Sequence, residues 1–283
     1  MVSATRERGS IMQIANKVFV VTGGGNGMGR EVVLQLIARG ARVAVVDLSE
    51  AGLAETVSLA GAAEGRLTTH ALNVADRAAV LALPDAVVKA HGQVDGLFNV
   101  AGIIQPFVKI VELDFDVIER VMNVNFWGVV NMSKAFLPHL LARPESGLLN
   151  VSSMGGFLPV PGQAAYGASK AAVKLFTEAL FAETQGTPLK VSVIFPGGVG
   201  TNITKNSGVD TTKMEAAAAA SGHGKQRKVT TPQDAGRQII EAMEKGTYRA
   251  TIGGDARFMD RFARLSPRRA TLLIANQMKS LLD

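Results

Sequence analysis

Short apolar runs alternate with longer amphipathic stretches along most of the chain, and that alternation leaves few folds open. Lys17–Thr22 (KVFVVT) reads as a buried strand, and Ala41–Asp47, Leu67–Asn73, Asp95–Val100, Gly147–Ser153 and Leu189–Phe195 each read as a strand. Between them, Met28–Arg39 sets Val32, Val33, Leu36 and Ile37 on one helical face. Ser49 caps a helix reaching about Ala63, and Arg77–Ala90 is a helix that Pro84 should break or kink. Phe115–Ala142 holds a long helix kinked near Pro138, Ala165–Thr184 another, and Pro232–Lys245 one capped by Thr231. Strand–helix alternation of this kind predicts an α/β fold: a single doubly wound parallel sheet with helices on both faces. No internal repeat and no Pro/Ser-rich linker interrupts it. Residues 12–254 are therefore expected to form one domain, including a flap at 201–230. Residues 255–283 form a basic amphipathic tail with Phe258, Leu265, Leu272, Ile274 and Met278 as packing anchors, and 1–11 a loose leader, with Met12 an alternative start.

Composition narrows the chemistry. The 283 residues include no cysteine, so disulfides, thiolate metal sites and a cysteine nucleophile are out. The four histidines (His70, His91, His139 and His223) show no metal-ligand spacing. Formal charge is +6, but the basic residues are dispersed, and only Phe262 interleaves with the cluster of Arg261, Arg264, Arg268 and Arg269. A stacking surface for single-stranded nucleic acid is not expected. No apolar h-region follows Arg6 and Arg8, and the longest uncharged stretch, 146–169, is rich in Gly, Ser and Pro. Nucleic acid and membrane are thus not expected partners, and the cytoplasm is the expected location.

The first strand runs into Thr22–Gly29 (TGGGNGMG). Glycines permit close backbone approach, and the helix N-terminus behind them favours a pyrophosphate. Met28 and Arg30 stand where G-x-G-x-x-G needs glycine, and a Gly-rich turn also serves plain strand–helix packing. Context decides for phosphate: a strand before, a helix after, and Asp47 closing the second strand. A carboxylate there can accept hydrogen bonds from both adenosine ribose hydroxyls and repel a 2′-phosphate, favouring NAD over NADP. The alternative for Asp47 is capping the helix that begins after Leu48-Ser49.

Tyr166-Gly167-Ala168-Ser169-Lys170 sets a phenol and an ammonium one helical turn apart. A free phenol, with a pKa of about 10, is a poor base at neutral pH, and lowering it by about three units takes roughly 4 kcal/mol. A neighbouring cation and an oxidised nicotinamide ring together could supply this. The other tyrosine, Tyr248, has no such partner. Ser153 ends the fifth strand, where open parallel sheets bind ligands; Ser152 competes for the same role.

Taken in order, TGGGNGMG at 22–29, Asn99-Val100-Ala101-Gly102, Asn125 within Val124-Asn125-Phe126-Trp127-Gly128, Ser153, YGASK at 166–170 and Pro196-Gly197-Gly198-Val199-Gly200-Thr201 resemble the short-chain dehydrogenase/reductase family in its short branch. The resemblance spans roughly residues 17–205 and implies a Rossmann-type fold. It also implies a catalytic set: Tyr166 as general acid/base, Ser153 orienting the substrate oxygen, Lys170 lowering the phenol pKa and gripping the nicotinamide ribose, and Asn125 holding a relay water. For the cofactor it implies Gly23, Gly25, Asn26, Gly27 and Met28 in the loop, Asp47 and Leu48 at the ribose, and Asn73 and Val74 near the adenine. Asn99, Ala101 and Gly102, which would also support the sheet, and Pro196, Gly197, Val199 and Thr201 complete that site with Tyr166 and Lys170. Asn73 departs from the family's usual Asp, and Val100 from a second Asn.

The expected activity is hydride transfer between NAD(H) and a hydrophobic secondary alcohol or ketone, the small-molecule partner, with the pocket walled by Ile104, Phe107, Met154, Phe157, Gln163, Ile203 and the flap. The alternatives are an NADPH-dependent reductase of 3-oxoacyl thioesters, against which Asp47 argues, and a non-catalytic dinucleotide sensor, which would not need the proton-transfer group. A Ser hydrolase is not expected, because no G-x-S-x-G surrounds Ser153. The resemblance further implies a homotetramer built through the helices bearing Asn125 and Tyr166.

Overall fold

The computed structural model describes residues 11–61, 63, 65–201, 203–209 and 229–279. Most of the expected flap and leader lies outside them. Seven strands form one parallel sheet: β1 (Val18–Thr22), β2 (Arg42–Asp47), β3 (Leu67–Ala71), β4 (Gly96–Asn99), β5 (Ser146–Val151), β6 (Leu189–Pro196) and β7 (Arg249–Ile252). Their spatial order is β3-β2-β1-β4-β5-β6-β7. The order reverses between β1 and β4, which pair Phe19 with Gly96 and Thr22 with Asn99. In a doubly wound sheet the crevice for ligands opens at this point, beyond the strand C-termini.

Successive strand residues face opposite sides, and the two sides carry separate cores. On one, Phe19, Val21, Val43 and Val45 pack with Val32, Val33 and Leu36 of α1 (Gly27–Ala38) and with Ile239, Ile240 and Met243 of the later helix Pro232–Glu244. On the other, Val18, Val20, Ala44 and Leu97 meet Val80 and Leu83 of α3 (Arg77–His91) and Met132, Phe136 and Leu140 of α5 (Gly128–Leu141). The remaining helices are α2 (Glu50–Ala60), α4 (Phe115–Met122), α6 (Ala164–Glu183), α7 (Ile203–Asn206), α8, which is the Pro232–Glu244 helix already placed, α9 (Gly254–Leu265) and α10 (Pro267–Gln277).

Caps fall where short polar residues predict them. Ser49 Oγ accepts from Gly52 N at 3.0 Å, and Thr231 Oγ1 from Asp234 N at 3.1 Å. Other expectations need correction. α3 runs unbroken through Pro84, whose ring is buried in the core, so burial outweighs the lost backbone bond. The long helix 115–142 is continuous from Phe115 to Leu141, with a π-turn over Asn123–Trp127 between α4 and α5. β3 is an edge strand that stops at Ala71, and α2 ends at Ala60 because Gly61 takes φ +65°. The short strand β7 had no sequence signal.

The tail 255–279 folds as α9 and α10 against the segment after β5. Leu158, Met259, Ala270 and Ile274 form a buried cluster there, joined by Met154, Phe157, Val160, Phe262, Ala263 and Met278. Ile274 and Met278 serve as anchors as expected; Phe258, Leu265 and Leu272 do not, being exposed on the outer side.

Candidate active site

The Gly-rich loop turns between β1 and α1, and its shape depends on missing side chains. Gly23 has φ +72°, and a Cβ on it would lie 2.8 Å from the Ala101 backbone. A Cβ on Gly29 would overlap the Gly23 carbonyl. Thr22 ties the loop sideways: its Oγ1 accepts from Val100 N (3.1 Å) and Ala101 N (3.2 Å). Behind the loop, Asp47 Oδ2 accepts from Gly25 N at 2.8 Å, while Oδ1 accepts from Ser49 N at 2.9 Å. Asp47 therefore both shapes the loop and faces the cleft. The Asn26 side chain makes no capping bond to α1, and the first turn of α1 contains no acid. Its backbone N–H groups and positive dipole end are left for an anion.

Arg30 holds the loop through contacts that its place in the sequence did not signal. It stands where the dinucleotide fingerprint wants glycine, and its guanidinium binds Gly25 O, Thr56 Oγ1 (3.1 Å) and Glu55 (2.6 Å). That pairing holds the Glu55 carboxyl below its ordinary range. Thr56 Oγ1 in turn donates to Gly24 O at 2.8 Å. The loop is thus fastened to α2.

A cleft of about 420 Å³ runs from this loop along the strand ends. Of the expected cofactor residues it is lined by Gly23, Asn26, Gly27, Met28, Asp47, Leu48, Asn73, Val74, Ala101, Gly102 and Thr201. Val46, Ser49, Leu72, Ile103, Val124, Ile203 and Asn206 also line it and were not anticipated as cofactor residues. Several expected residues stand elsewhere. Asn99 is buried, and its Nδ2 donates to Asn150 Oδ1 (2.8 Å) and Ser133 Oγ (3.3 Å), so it braces β4 against β5 rather than walling the cleft. Pro196 ends β6, Gly197 N donates to Ile252 O at 2.9 Å, and Val199 pairs with Thr230; these fix the loop that presents Thr201. Gly25 is held by Asp47 behind the lining. Asn73 reaches the cleft, but its Oδ1 accepts from Ala75 N at 3.0 Å and shapes its own turn.

Tyr166, Lys170 and Ser153 converge beyond the Gly102 end of the cleft. Tyr166 lies in the first turn of α6, hydrogen-bonded to Ser153, whose Oγ also accepts from Gly155 N at 3.1 Å. Ser152 faces the other way, donating to Lys170 O at 2.7 Å. Lys170 is 3% exposed; its Nζ donates to Val151 O at 3.0 Å and lies 5.9 Å from the centre of the Tyr166 ring. A Cβ on Gly102 would sit 3.1 Å from Lys170 Nζ and 3.3 Å from Asn125 Oδ1. Glycine there brings the cleft wall directly against the ammonium.

The electrostatics of the chain alone are set by burial. Burial pushes the Tyr166 phenol above its ordinary value, opposed by the Ser153 hydrogen bond, and burial depresses Lys170 to about 8. In the protein alone the ammonium does not make the phenol acidic, because desolvation disfavours both charges.

Two buried clamps position this group. Asn125, in the π-turn, accepts from Ile103 N (2.9 Å) and donates to Ile103 O (2.9 Å) and Ser169 Oγ (3.0 Å). Its side chain is spent joining the loop after β4 to α6. Gln105, fully buried, accepts from Tyr166 N at 3.0 Å and donates to Gly162 O at 3.0 Å, while Gln163 Nε2 donates to Gln105 O at 2.9 Å. Gln163, expected as a pocket wall, is therefore a strut. Ile104 is buried too, its N–H donating to Ser207 Oγ at 3.0 Å.

Sequence comparison now adds to this geometry. The profile of the short chain dehydrogenase family matches residues 17–212. The chain belongs to the short-chain dehydrogenase/reductase family. Among relatives of this short-chain dehydrogenase/reductase, the oxidoreductase SadH of Mycobacterium tuberculosis is 39% identical over 88% of this chain and 90% of its own length. The 1-deoxy-11-beta-hydroxypentalenate dehydrogenase of Streptomyces avermitilis is 35% identical over 69% of this chain and 73% of its own. A short chain dehydrogenase/reductase from Burkholderia phymatum, solved in complex with NAD, superposes with a TM-score of 0.79 at 26% identity, covering 90% of this chain and 96% of that one.

Proposed function

We propose that this oxidoreductase interconverts a hydrophobic secondary alcohol and its ketone with NAD(H), Tyr166 passing the proton. The observation that carries the reading is the meeting of Ser153, Tyr166 and buried Lys170 behind Gly102, which lines a cleft shared with a glycine loop and a free helix N-terminus. The residues present fit a dinucleotide. The α1 N-terminus and Gly23–Met28 would hold the pyrophosphate, Asp47 the adenosine ribose, and Gly102 and Thr201 the nicotinamide half. When bound, the nicotinamide supplies or accepts the hydride.

The chain's own residues handle orientation and the proton. Ser153 fixes the substrate oxygen beside the phenol. In reduction, the protonated phenol donates its proton to the oxygen of the forming alcohol; in oxidation, phenolate removes it. A phenol raised by burial keeps its proton at neutral pH, the state that the first direction starts from. In the second it needs added positive charge, from Lys170 below pH 8 and from the oxidised ring. Asp47 favours NAD, since a 2′-phosphate would meet its carboxylate. A lipophilic substrate is supported by Met154 and Phe157 beside Ser153 and by Ile203 on the cleft wall. The name of the Streptomyces relative, a dehydrogenase of a hydroxypentalenate, points the same way.

The test is Tyr166→Phe, assayed with a panel of alcohols and ketones against NAD(H) and NADP(H) by nicotinamide absorbance. Turnover should fall by about 10²–10⁴-fold while NADH still binds, as followed by its fluorescence. Near-normal turnover would remove Tyr166 from the chemistry.

A further inference from the structure

The outer side of the C-terminal helices has no role in the site just described. In α9, Ala256 and Met259 turn inward, and Arg257, Phe258, Arg261, Arg264 and Leu265 turn out. In α10, Ala270 and Ile274 turn inward, and Arg268, Arg269, Leu272 and Leu273 turn out. Phe258 is 61% exposed and Leu265 86% exposed, large values for side chains of this kind. Arg257, Arg261, Arg268 and Arg269 make no ion pair among the described residues. The two acids of α9 are taken: Asp255 accepts from Gly198 N at 2.7 Å, and Asp260 pairs with Arg249 and Arg264. α10 contains no acid. The face therefore offers uncompensated guanidinium groups interleaved with apolar side chains on one helical hairpin.

We propose that this face of α9 and α10 docks on an anionic lipid surface, with the arginines at the headgroups and Phe258, Leu265 and Leu272 in the acyl boundary. Basic amphipathic helices bind such interfaces through apolar burial together with attraction to anionic lipid. Charge complementarity selects that occupant over a second copy of the chain, since two such faces would set arginine against arginine. The inner side of the same helices packs on Met154, Phe157 and Leu158, next to Ser153. Docking would thus bring the substrate side of the molecule to the phase where lipophilic substrates concentrate.

The experiment is co-sedimentation of the full chain with vesicles of phosphatidylcholine alone or of equimolar phosphatidylcholine and phosphatidylglycerol. Binding should be confined to the anionic vesicles and weaken as salt rises. Replacing Arg257, Arg261, Arg268 and Arg269 together by Gln should lower partitioning by about a hundredfold or more. The pair Phe258→Ser and Leu265→Ser should lower it independently. All six positions are exposed, so thermal melting and NADH binding should match wild type; this separates loss of docking from misfolding, and vesicle binding does not depend on the proposed reaction. Equal sedimentation with both vesicle types, or unchanged binding of the Gln variant, would overturn the proposal. So would a fall in oligomer mass with Phe258→Ser and Leu265→Ser while vesicle binding persists, which would make the face a subunit contact.

Discussion

The glycine-loop end and the tail-covered end of this site are built on different principles. At the first, function resides in backbone: Gly23 and Gly29 leave room for main chain, Thr22 and Asp47 hold the turn with side-chain oxygens, and Arg30 fastens it to α2. At the second, apolar side chains from Met154–Val160 meet two helices contributed from the far end of the sequence. The first end has almost no freedom to vary without losing its shape. The second can change residue by residue while keeping a greasy wall, and substrate choice is free to vary there.

Substitutions at the two ends should separate accordingly. Gly29→Ala forces a methyl group onto the Gly23 carbonyl. A cost of at least about 3 kcal/mol is expected, so NADH affinity measured by fluorescence should drop more than about a hundredfold; unchanged affinity would show that the loop can yield. Lys170→Met probes the junction between the ends. The depressed pKa of about 8 means that, relative to the ordinary 10.5, the folded state binds fewer protons between those values. The buried cation thus burdens folding below pH 8 and is relieved as pH rises through that window. The stability gain of Lys170→Met over wild type should be at most about 3 kcal/mol at pH 7 and shrink by pH 10 in denaturant titrations. Ile274→Ala should cost about 2 kcal/mol of stability and shift KM for the alcohol while leaving NADH binding intact; an equal effect on both ligands would erase the distinction between the ends. Asp47→Ser should have the smallest effect, an order of tenfold loss in NAD use relative to NADP, seen in the kcat/KM ratio.

The same contrast governs what was legible in the sequence. Buried parallel strands write continuous apolar runs, so five strands could be read from them and the half-exposed edge strand β3 from its place in the alternation, as could the caps at Ser49 and Thr231. β7 is four residues long and has no comparable run. The glycine loop and the Tyr166–Lys170 spacing are local patterns; the loop lines the cleft, and Lys170 Nζ lies behind Gly102 on its wall. The Gln105–Gln163 strut joins positions 58 residues apart, and no local pattern marks it. Arg30 looked like a defect in a glycine pattern because its partners, Glu55 and Thr56, lie on the next helix. Asn99 braces β4 against β5, as the family resemblance implied, and does not line the cleft. Helical spacing reports the phenol's proximity to a cation but not the loss of water around both groups, which raises the phenol in the protein alone.

The π-turn at Asn123–Trp127 has a further consequence. The wider π-turn absorbs one extra residue, so adding or removing a residue in the α-helical turns beside it would instead turn everything downstream by about 100°. Met132, Phe136 and Leu140 would then swing out of the interior, and for a change in α4 the Asn125 clamp on Ile103 would be lost with them. Those turns should accept changes of residue type at their surface positions yet reject any change of length, so their count of residues matters more than most of the letters that fill them.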